Sequence, residues 1–471
     1  MINFVLNDFT IRLLLCISYI ILLYHAAICV VHMKQMLLSL SSIPAYMRKA
    51  RLMDMKMYSQ SNNIIPFSIL VPAYNEEKTI VENTRSLLAL NYSVYEIVII
   101  NDGSTDATFE IVRDAFNLKP TNYPLRSKLP TAKIRGVYFN PDLPLLLIDK
   151  ENGGKADALN AGINISQYPY FASLDADSLL DSDALIRIAL AFMEYKYTIA
   201  VGGVVRVANG CSVKDGKIAE SAMPKKSIER FQVIEYLRAF LIGRVGWGHF
   251  NSLMIVSGAF GAFHKESALK VGGYTVDTIG EDMEIVLKLH KYMREKKYQY
   301  KINFLPDPIC WTQVPTTAKD LFKQRCRWQV GLIDALNRNG RMLLSPKFGY
   351  LGMISMPYYV LCEMMGPVAE ILGIISIPLA YYLGVLNFEF FVMYLLMSLV
   401  FGIIISIGAL MVEEYTFNKY PKLSDIVVLS MYSVLENFSY RLLTMLFRLI
   451  ATVRYKKYKH SWGKAQRNAF V

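Results

Sequence analysis

Apolar residues are concentrated towards the two ends of the chain. Residues 11–33 contain no Asp, Glu or Lys and are long enough to cross a bilayer. Residues 368–386 and 389–412 have the same character and are predicted as two further spans. Residues 347–366 include Pro357, so we predict a helix on the membrane surface there rather than a span. The pattern therefore predicts membrane segments on both sides of a central region.

The central region has a different pattern, in which short apolar runs alternate with helical stretches. Continuous apolar runs of this length are typical of strands that are buried on both faces. They occur at residues 66–74, 95–102, 145–149 and 170–177. Alternation with helices predicts an α/β fold with a mostly parallel, Rossmann-like sheet. In such sheets, ligands bind at the carboxyl ends of the strands.

These patterns divide the chain into six predicted segments. Residues 425–452 are apolar but interrupted by charged side chains, so a membrane-associated helix is preferred there, with a further span as the alternative. The segments are an N-terminal transmembrane anchor (1–33), a cytoplasmic linker (34–64), an α/β domain (65–346), an interfacial amphipathic helix (347–366), two transmembrane helices (367–412), and a membrane-associated helix with a basic cytoplasmic tail (413–471).

The net charge of +12 does not indicate nucleic-acid binding, because the positive residues flank the apolar segments. Basic residues beside spans mark the cytoplasmic side of a membrane and contact lipid headgroups. We therefore predict a multi-pass protein of the plasma membrane, in a bacterial cell, with its central domain in the cytoplasm and with membrane lipids, not nucleic acid, as partners. The six cysteines form no CxxC pair, so no disulfide or zinc site is predicted.

Two aspartates follow the fourth apolar strand. Asp175 and Asp177 are two residues apart, and in an extended chain such side chains point to the same face. Two carboxylates held together repel each other and need a cation, for which Mg²⁺ or Mn²⁺ is suited. The alternative is a pair of aspartates that only cap a turn. The position behind a buried strand favours the metal site.

Other polar residues fall at equivalent strand ends. Asp102 follows the second strand, where its carboxylate could bind a base or ribose or could only close an Asx turn. Tyr74 and Glu76 follow the first strand and offer stacking and polar contacts. Lys155 begins a helix after a glycine-rich turn, an arrangement that predicts an anion site. The spacing differs from that of a Walker A loop.

Two groups of residues further along the chain could bind an acceptor substrate. Glu281 and Asp282 begin a predicted helix, where Asp282 could be a general base or both could cap the helix. Gln324, Arg327 and Trp328 lie within one helical turn. An indole suits a sugar face and arginine suits a diphosphate, although a core tryptophan beside a surface arginine is the alternative.

Several motifs occur in an order that resembles the processive family 2 glycosyltransferases, which include cellulose, hyaluronan, chitin and poly-N-acetylglucosamine synthases. The similarity covers about residues 65–330 and extends to the layout of the flanking spans. It implies a GT-A fold, a UDP-sugar donor, a divalent metal, and inversion at the anomeric carbon to give a β-linkage. The motifs are V-P-A-Y-N-E-E, N-D-G-S-T-D, G-G-K-A-D-A-L-N, D-A-D, G-E-D and Q-R-C-R-W.

The resemblance also implies a role for each site residue. Asp282 would be the catalytic base and Asp177 the metal ligand. The expected nucleotide-sugar contacts are Tyr74, Glu76, Asp102, Lys155 and Asp175. The expected contacts to the diphosphate and acceptor are Gln324, Arg327, Trp328 and Glu281.

The expected function is extension of a β-linked polysaccharide at the membrane from UDP-N-acetylglucosamine or UDP-glucose. The alternative is a non-processive enzyme that glycosylates a lipid or lipid-linked acceptor. A transporter or scaffold with a decayed enzyme domain is disfavoured, because every expected acid is present. The number of spans is low for a self-sufficient channel, so an accessory export subunit or a homo-oligomer is an expected partner.

Overall fold

The computed structural model describes residues 7–52, 64–124, 127–214, 217–420 and 422–459. Residues 53–63 of the predicted linker and residues 460–471 of the predicted basic tail lie outside the described residues.

The first helix, α1, is much longer than a membrane span. It runs over Asp8–Leu52, 45 residues, or about 67 Å at 1.5 Å per residue, whereas a bilayer core is about 30 Å thick. Its second half contacts the central domain: the Tyr46 hydroxyl donates to Asp307, and Lys49 pairs with Glu194 at 2.7 Å. The same helix is therefore a candidate span and a support for the central domain.

The central domain is built on a mixed ten-stranded sheet, in the order β3-β4-β5-β2-β1-β6-β11-β8-β12-β7. Strands β5, β2, β1 and β6 are mutually parallel, as are β8 and β12, and the other neighbours are antiparallel. Strands β9 and β10 form a separate hairpin. The strands are β1 Phe67–Ala73, β2 Tyr95–Asp102, β3 Lys119–Pro120, β4 Ile134–Asn140, β5 Leu145–Lys150, β6 Tyr170–Leu174, β7 Ser178–Leu180, β8 Thr198–Val207, β9 Ser212–Lys214, β10 Lys217–Glu220, β11 Phe260–His264 and β12 Lys301–Thr312.

The parallel strands β1, β2, β5 and β6 are buried at almost every position, as expected for strands of a sheet that is covered on both faces. The predicted α/β class is confirmed, and the antiparallel strands on either side of the parallel group are an addition to it. The predicted helix near 227–246 contains a π-helical segment, Arg238–Arg244. The helices are α2 Ile80–Leu88, α3 Thr108–Ala115, α4 Lys155–Ile165, α5 Ala184–Glu194, α6 Ser227–Leu237, α7 Val245–His249, α8 Lys265–Lys270, α9 Glu281–Glu295 and α10 Ala318–Arg338.

The C-terminal helices are α11 Leu351–Met364, α12 Gly366–Tyr382, α13 Phe388–Thr416, α14 Leu423–Leu435, α15 Tyr440–Val453 and α16 Tyr455–Tyr458. Among the described helices, α1 and α13 are long and apolar enough to cross a membrane, which places the chain at a membrane. Helices α11 and α12 meet the same criterion only as a pair, bent by 54°. The predicted span at 368–386 falls on α12, which has 17 residues and begins at a bend beside Pro367, and it stays a prediction.

Buried ion pairs join the central domain to the C-terminal helices. Arg206 of β8 pairs with Glu413 of α13, and both side chains are almost fully buried. Breaking such a pair leaves a buried charge without compensation, which is strongly destabilising. The relative position of the domain and the membrane helices is therefore fixed by charge as well as by apolar contact. Arg238 of the π-helical segment also pairs with Glu436, which follows α14, at 2.5 Å. Two partly exposed pairs, Arg441–Glu370 and Arg448–Glu363, both at 3.3 Å, join C-terminal helices to one another.

A close approach of two glycines sets the distance between α9 and α10. A Cβ atom on Gly280 would lie 2.6 Å from the Gly331 carbonyl oxygen, and a Cβ on Gly331 would lie 3.0 Å from the Gly280 Cα. We expect Gly280→Ala to lower the free energy of unfolding by about 1–3 kcal/mol, as overpacking does. Thermal unfolding of the detergent-purified protein measures this. Gly340→Ala is the control, since its Cβ would meet open space; equal melting temperatures for the two variants would contradict the prediction.

Candidate active site

The parallel strands bring several predicted site residues to one edge of the sheet. Strands β5, β2, β1 and β6 are neighbours and run in the same direction. Asp102 ends β2, Tyr74 follows β1 and Asp175 follows β6. Adjacent strands lie about 4.8 Å apart, so these residues line one cleft. This is the edge at which the sequence predicts the ligand.

The innermost part of the cleft is a buried ion cluster around a lysine. Lys150, at the end of β5, is fully buried and pairs with Asp102 and with Asp157, the latter at 2.7 Å. The backbone N–H groups of Gly153 and Gly154 donate to the two Asp102 carboxylate oxygens at 3.0 and 2.8 Å. Gly154 has φ +87°, a conformation that favours glycine. The cluster fixes the glycine-rich turn that begins α4.

Both oxygens of Asp102 are thus engaged by the chain itself, so its observed contacts support a positioning role. A contact between Asp102 and the nucleotide stays a prediction. Sequence reasoning missed Lys150. Its place at the end of an apolar strand could have identified it. Strands β2 and β5 pair in register, so that Asp102 lies opposite Lys150.

The loop after β1 is tied to the loop after β2. The Asn75 N–H donates to Ser104 Oγ at 3.1 Å, and the Glu76 N–H donates to Thr108 Oγ1 at 2.8 Å. Glu76 itself is buried and accepts a hydrogen bond from Thr79 Oγ1 at 3.0 Å. Tyr74 keeps 40% of its surface exposed. Its ring is therefore open for stacking, while the Glu76 carboxylate already has partners within the chain.

Lys155 joins three parts of the cleft. Its ammonium lies 2.6 Å from Asp175 Oδ1 and 3.5 Å from Glu281 Oε1, and it donates to the Gly258 carbonyl oxygen at 3.0 Å. Burial alone would lower the pKa of Lys155, but the carboxylates of Asp175, Glu281 and Asp282 outweigh it and raise the pKa above its usual value. The lysine stays charged and holds residues that are far apart in sequence.

Asp175 and Asp177 are suited to a divalent cation. Burial, followed by the charge of Asp175, raises the pKa of Asp177 to about 7, although Lys155 and Arg327 act in the opposite direction. Ionisation of both carboxylates is therefore unfavourable at this site, and a bound cation would stabilise their ionised form. The described residues contain no group of three or more His, Cys, Asp or Glu that could hold a metal. A hard cation would take its remaining oxygen ligands from water and a diphosphate, which suits Mg²⁺ or Mn²⁺.

The predicted base lies across the cleft at the first turn of α9. A Cβ atom on Gly258 would lie 2.9 Å from Asp282 Oδ2 and 3.7 Å from Lys155 Nζ, so this carboxylate oxygen is at the same site. The other oxygen accepts from the Met283 N–H at 2.9 Å. The neighbouring Glu281 is buried, and burial together with the charge of Asp282 raises its pKa.

Helix α10 presents the aromatic-basic group to this cleft. Trp328 keeps 43% of its surface exposed. Burial raises the pKa values of Asp177 and Glu281, and the charge of the exposed Arg327 partly opposes that rise. Gln324 Oε1 is buried and has no hydrogen-bond partner among the described residues. The structure thus brings together residues that are about 150 positions apart in the sequence and that are predicted to serve the donor and the acceptor.

Arg325, within the same motif, faces the other way. It forms two hydrogen bonds with Glu235, at 2.6 and 2.8 Å, and donates to the Tyr440 hydroxyl at 3.0 Å. Its guanidinium also lies 4.4 Å from the centre of the Trp328 ring. Arg325 therefore fixes α10 against α6 and α15 and supports one face of the indole.

The comparisons with known proteins agree with this arrangement. The residues predicted to bind a donor, a metal and an acceptor surround one cleft, an arrangement expected of an enzyme that transfers a group from an activated nucleotide. The family Glycosyl transferase family 2 matches residues 68–253, and Glycosyl transferase family group 2 matches residues 170–405, half of the chain. The chain belongs to glycosyltransferase family 2.

Two of its relatives carry the same name. The poly-beta-1,6-N-acetyl-D-glucosamine synthase of Staphylococcus epidermidis is 32% identical over 65% of this chain and 66% of its own length. The protein of that name from Staphylococcus aureus strain COL is 34% identical over 58% of this chain and 56% of its own length. Each alignment thus spans less than two thirds of the relative.

A solved structure of a mannosyltransferase from Pyrobaculum calidifontis, in complex with GDP-Man and Mn²⁺, is 18% identical. It aligns with 87% of this chain and 99% of its own, with a TM-score of 0.47.

Gly258 tests whether the position of Asp282 matters. We expect Gly258→Ala to lower kcat at least tenfold, because the added methyl group would press on Asp282 Oδ2 and move it from its place. Steady-state assays of sugar transfer give kcat, and Gly340→Ala again serves as the control. A Gly258→Ala enzyme with wild-type kcat would show that the cleft tolerates displacement of this carboxylate.

Proposed function

We propose that this protein is an inverting glycosyltransferase that extends a β-linked polymer of N-acetylglucosamine from UDP-N-acetylglucosamine. The observation that carries the proposal is the Lys155 ammonium, which lies among carboxylates from both the donor side and the acceptor side of the cleft. The sugar and the β-1,6 linkage rest on the printed names of the relatives.

In the proposed reaction, Asp282 is the general base. The acceptor hydroxyl oxygen attacks the anomeric carbon of the donor while its proton passes to the Asp282 carboxylate. The bond between the anomeric carbon and the β-phosphate oxygen breaks, and its electron pair leaves with UDP. Attack from the face opposite the leaving group inverts the configuration and gives a β-linkage.

The other residues bind and orient the substrates. Tyr74, Glu76, Asp102 and Lys155 surround the nucleotide, and the exposed face of Trp328 supports the acceptor sugar. Gln324, Arg327 and Glu281 lie beside the diphosphate and acceptor. Asp175 and Asp177 would hold a divalent cation, which neutralises charge on the diphosphate leaving group.

The proposed location is the plasma membrane, with the catalytic domain in the cytoplasm where UDP-sugars are made. Basic residues after the first span support this orientation. The two long apolar helices are few for a channel that carries a polymer unaided. An accessory export subunit or a second copy of the chain is therefore proposed as a partner.

Membranes that contain the protein test the proposed activity directly. With labelled UDP-N-acetylglucosamine and Mg²⁺ or Mn²⁺ they should form a polymer that a β-1,6-N-acetylglucosaminidase degrades, and EDTA should abolish synthesis. Equal reactions with UDP-glucose are the comparison. A labelled lipid carrying a single sugar would instead support the non-processive alternative, and no transfer from either donor would overturn the proposal.

Asp282→Asn tests the base. We expect kcat to fall at least a hundredfold, since general base catalysis contributes about 10²–10⁴-fold, while the Kd for UDP stays within about twofold because the amide has the same shape. Transfer assays and UDP titration of the purified variant measure both quantities. Glu295→Gln, on an exposed position of the same helix, should retain full activity; an Asp282→Asn enzyme within threefold of wild type would exclude Asp282 as the base.

A further inference from the structure

A groove between two of the apolar helices, remote from the cleft, has no assigned role. Residues 36–44 of α1 and residues 404–416 of α13 line it, and it contains a cavity of about 590 Å³. Ile43 and Val412 are buried within this lining, whereas Leu40 is half-exposed. Sites that bind small molecules have volumes of about 300–1,000 Å³. The groove is therefore large enough to hold a ligand.

Helices α1 and α13 lie side by side and run in the same direction. Near their N-terminal ends, the ring centres of Tyr19 and Phe390 are 5.2 Å apart. Further along both helices, a Cβ atom on Gly408 would lie 3.0 Å from Met36 Sδ. Both helices are long and apolar enough to cross a membrane. They therefore leave the bilayer on the same side, and the groove lies beside their C-terminal ends.

The lining of the groove is almost entirely hydrocarbon. The hydroxyl of Ser39, which is one of its few polar groups, already donates to the Ile242 carbonyl oxygen at 3.3 Å. An apolar cavity does not hold water, and its lining atoms gain dispersion contacts only from an apolar group. The apolar group that a membrane supplies is an acyl chain. The chemistry of the lining therefore suits the chain of a lipid.

Basic side chains follow the groove on both helices. Arg48 is one helical turn beyond Pro44, which places it on the groove-lining face of α1. Lys419 and Lys422 come soon after the end of α13. Arg48 and Lys422 are exposed, and within the described part of the chain none of these three side chains forms an ion pair. The apolar groove thus ends beside three cations.

The carboxylates of α13 and α14 at this end of the groove do not cancel that charge. Glu413 is paired with Arg206. Asp425 lies in the first turn of α14, where the partial positive charge of the helix N-terminus compensates it. Glu414 is the third carboxylate on these segments. Three cations therefore face one further anion, and the end of the groove favours a negatively charged group.

We propose that this groove binds one anionic phospholipid of the cytoplasmic leaflet, with an acyl chain between α1 and α13 and its phosphate beside Arg48, Lys419 and Lys422. Basic pockets between membrane helices on the cytoplasmic side are suited to anionic headgroups. The inference rests on the orientation given in the proposed function and not on the sugar chemistry. Because α1 and α13 each form an ion pair with the catalytic domain, a lipid between them stabilises its attachment.

The first test incubates the detergent-purified chain with equal amounts of phosphatidylglycerol and phosphatidylcholine and identifies the retained lipid by native mass spectrometry. Wild type should retain one phosphatidylglycerol per chain and prefer it at least tenfold. Arg48→Gln/Lys422→Gln should lower this preference at least fivefold, since each basic residue near an anionic headgroup contributes about fivefold in affinity. Arg48→Lys/Lys422→Arg keeps both charges and should retain the preference of the wild type.

Leu40→Trp tests the groove itself. The indole would fill part of the cavity, so this variant should retain at most one tenth of the phosphatidylglycerol that the wild type retains. Its melting temperature should not rise when phosphatidylglycerol is added, whereas that of the wild type should. Leu23→Trp is the matched control, since Leu23 is an exposed residue of α1 outside the groove. An unchanged Kd for UDP shows that Leu40→Trp is folded.

Several outcomes would overturn the inference. These are a wild type that retains no phospholipid, equal retention of the two headgroups, and equal retention by Leu40→Trp and Leu23→Trp. A small polypeptide that co-purifies with the wild type and is lost from Leu40→Trp would also overturn it, because a protein would then occupy the groove. The headgroup comparison decides the inference even where Leu40→Trp does not fold.

These measurements use no sugar donor, which separates the lipid site from the proposed function. An active transferase that retains no phospholipid would overturn the lipid site and leave the proposed function intact. Selective retention of phosphatidylglycerol by a chain that transfers no sugar would support the lipid site and overturn the proposed function.

Discussion

The Lys155 ammonium is the interaction on which the cleft depends. It touches Asp175 behind β6, Glu281 at the start of α9 and the carbonyl of Gly258 before β11. Without this positive charge, three carboxylates would face one another in a poorly solvated space, and at least one would take up a proton. The charge balance at Lys155 thus holds the end of β6, the start of α9 and the segment before β11 in one arrangement.

A second lysine, which is more deeply buried, also holds carboxylates together. Lys150 is completely buried between Asp102 and Asp157, so the glycine-rich turn between β5 and α4 is fixed from below. The backbone N–H groups of Gly153 and Gly154 donate to Asp102, so the same buried cluster also fixes the start of α4. Lys155, the first residue of that helix, is thereby held in the cleft beside Asp175.

The sequence predicted the parallel part of the sheet well, because strands buried on both faces are continuous apolar runs with little ambiguity. Strand β2 begins and ends at the predicted residues, and helix α4 begins at the predicted Lys155. The strands β8, β11 and β12 were not predicted. Glycines and prolines interrupt their patterns, and their pairing depends on contacts with distant segments, which local periodicity does not report.

The candidate site was predicted through its motifs, whereas its supporting contacts were not. Asp175, Lys155 and Asp282 carry recognisable local signatures, but Lys150 and Gly258 do not. The roles of these two residues depend on which strands and loops become neighbours, which is a property of the tertiary structure. The roles assigned to the site residues remain predictions for the experiments described above.

Helix α1 runs without a break from its apolar half to the half that contacts the catalytic domain. A span that is longer or shorter than the surrounding bilayer adjusts by tilting, and a rigid rod transmits tilt along its whole length. The catalytic domain is also attached to α13 through the Arg206–Glu413 ion pair. A change in the tilt of α1 would therefore move the catalytic domain as well. We therefore expect bilayer thickness to affect the position of the catalytic domain relative to the membrane surface.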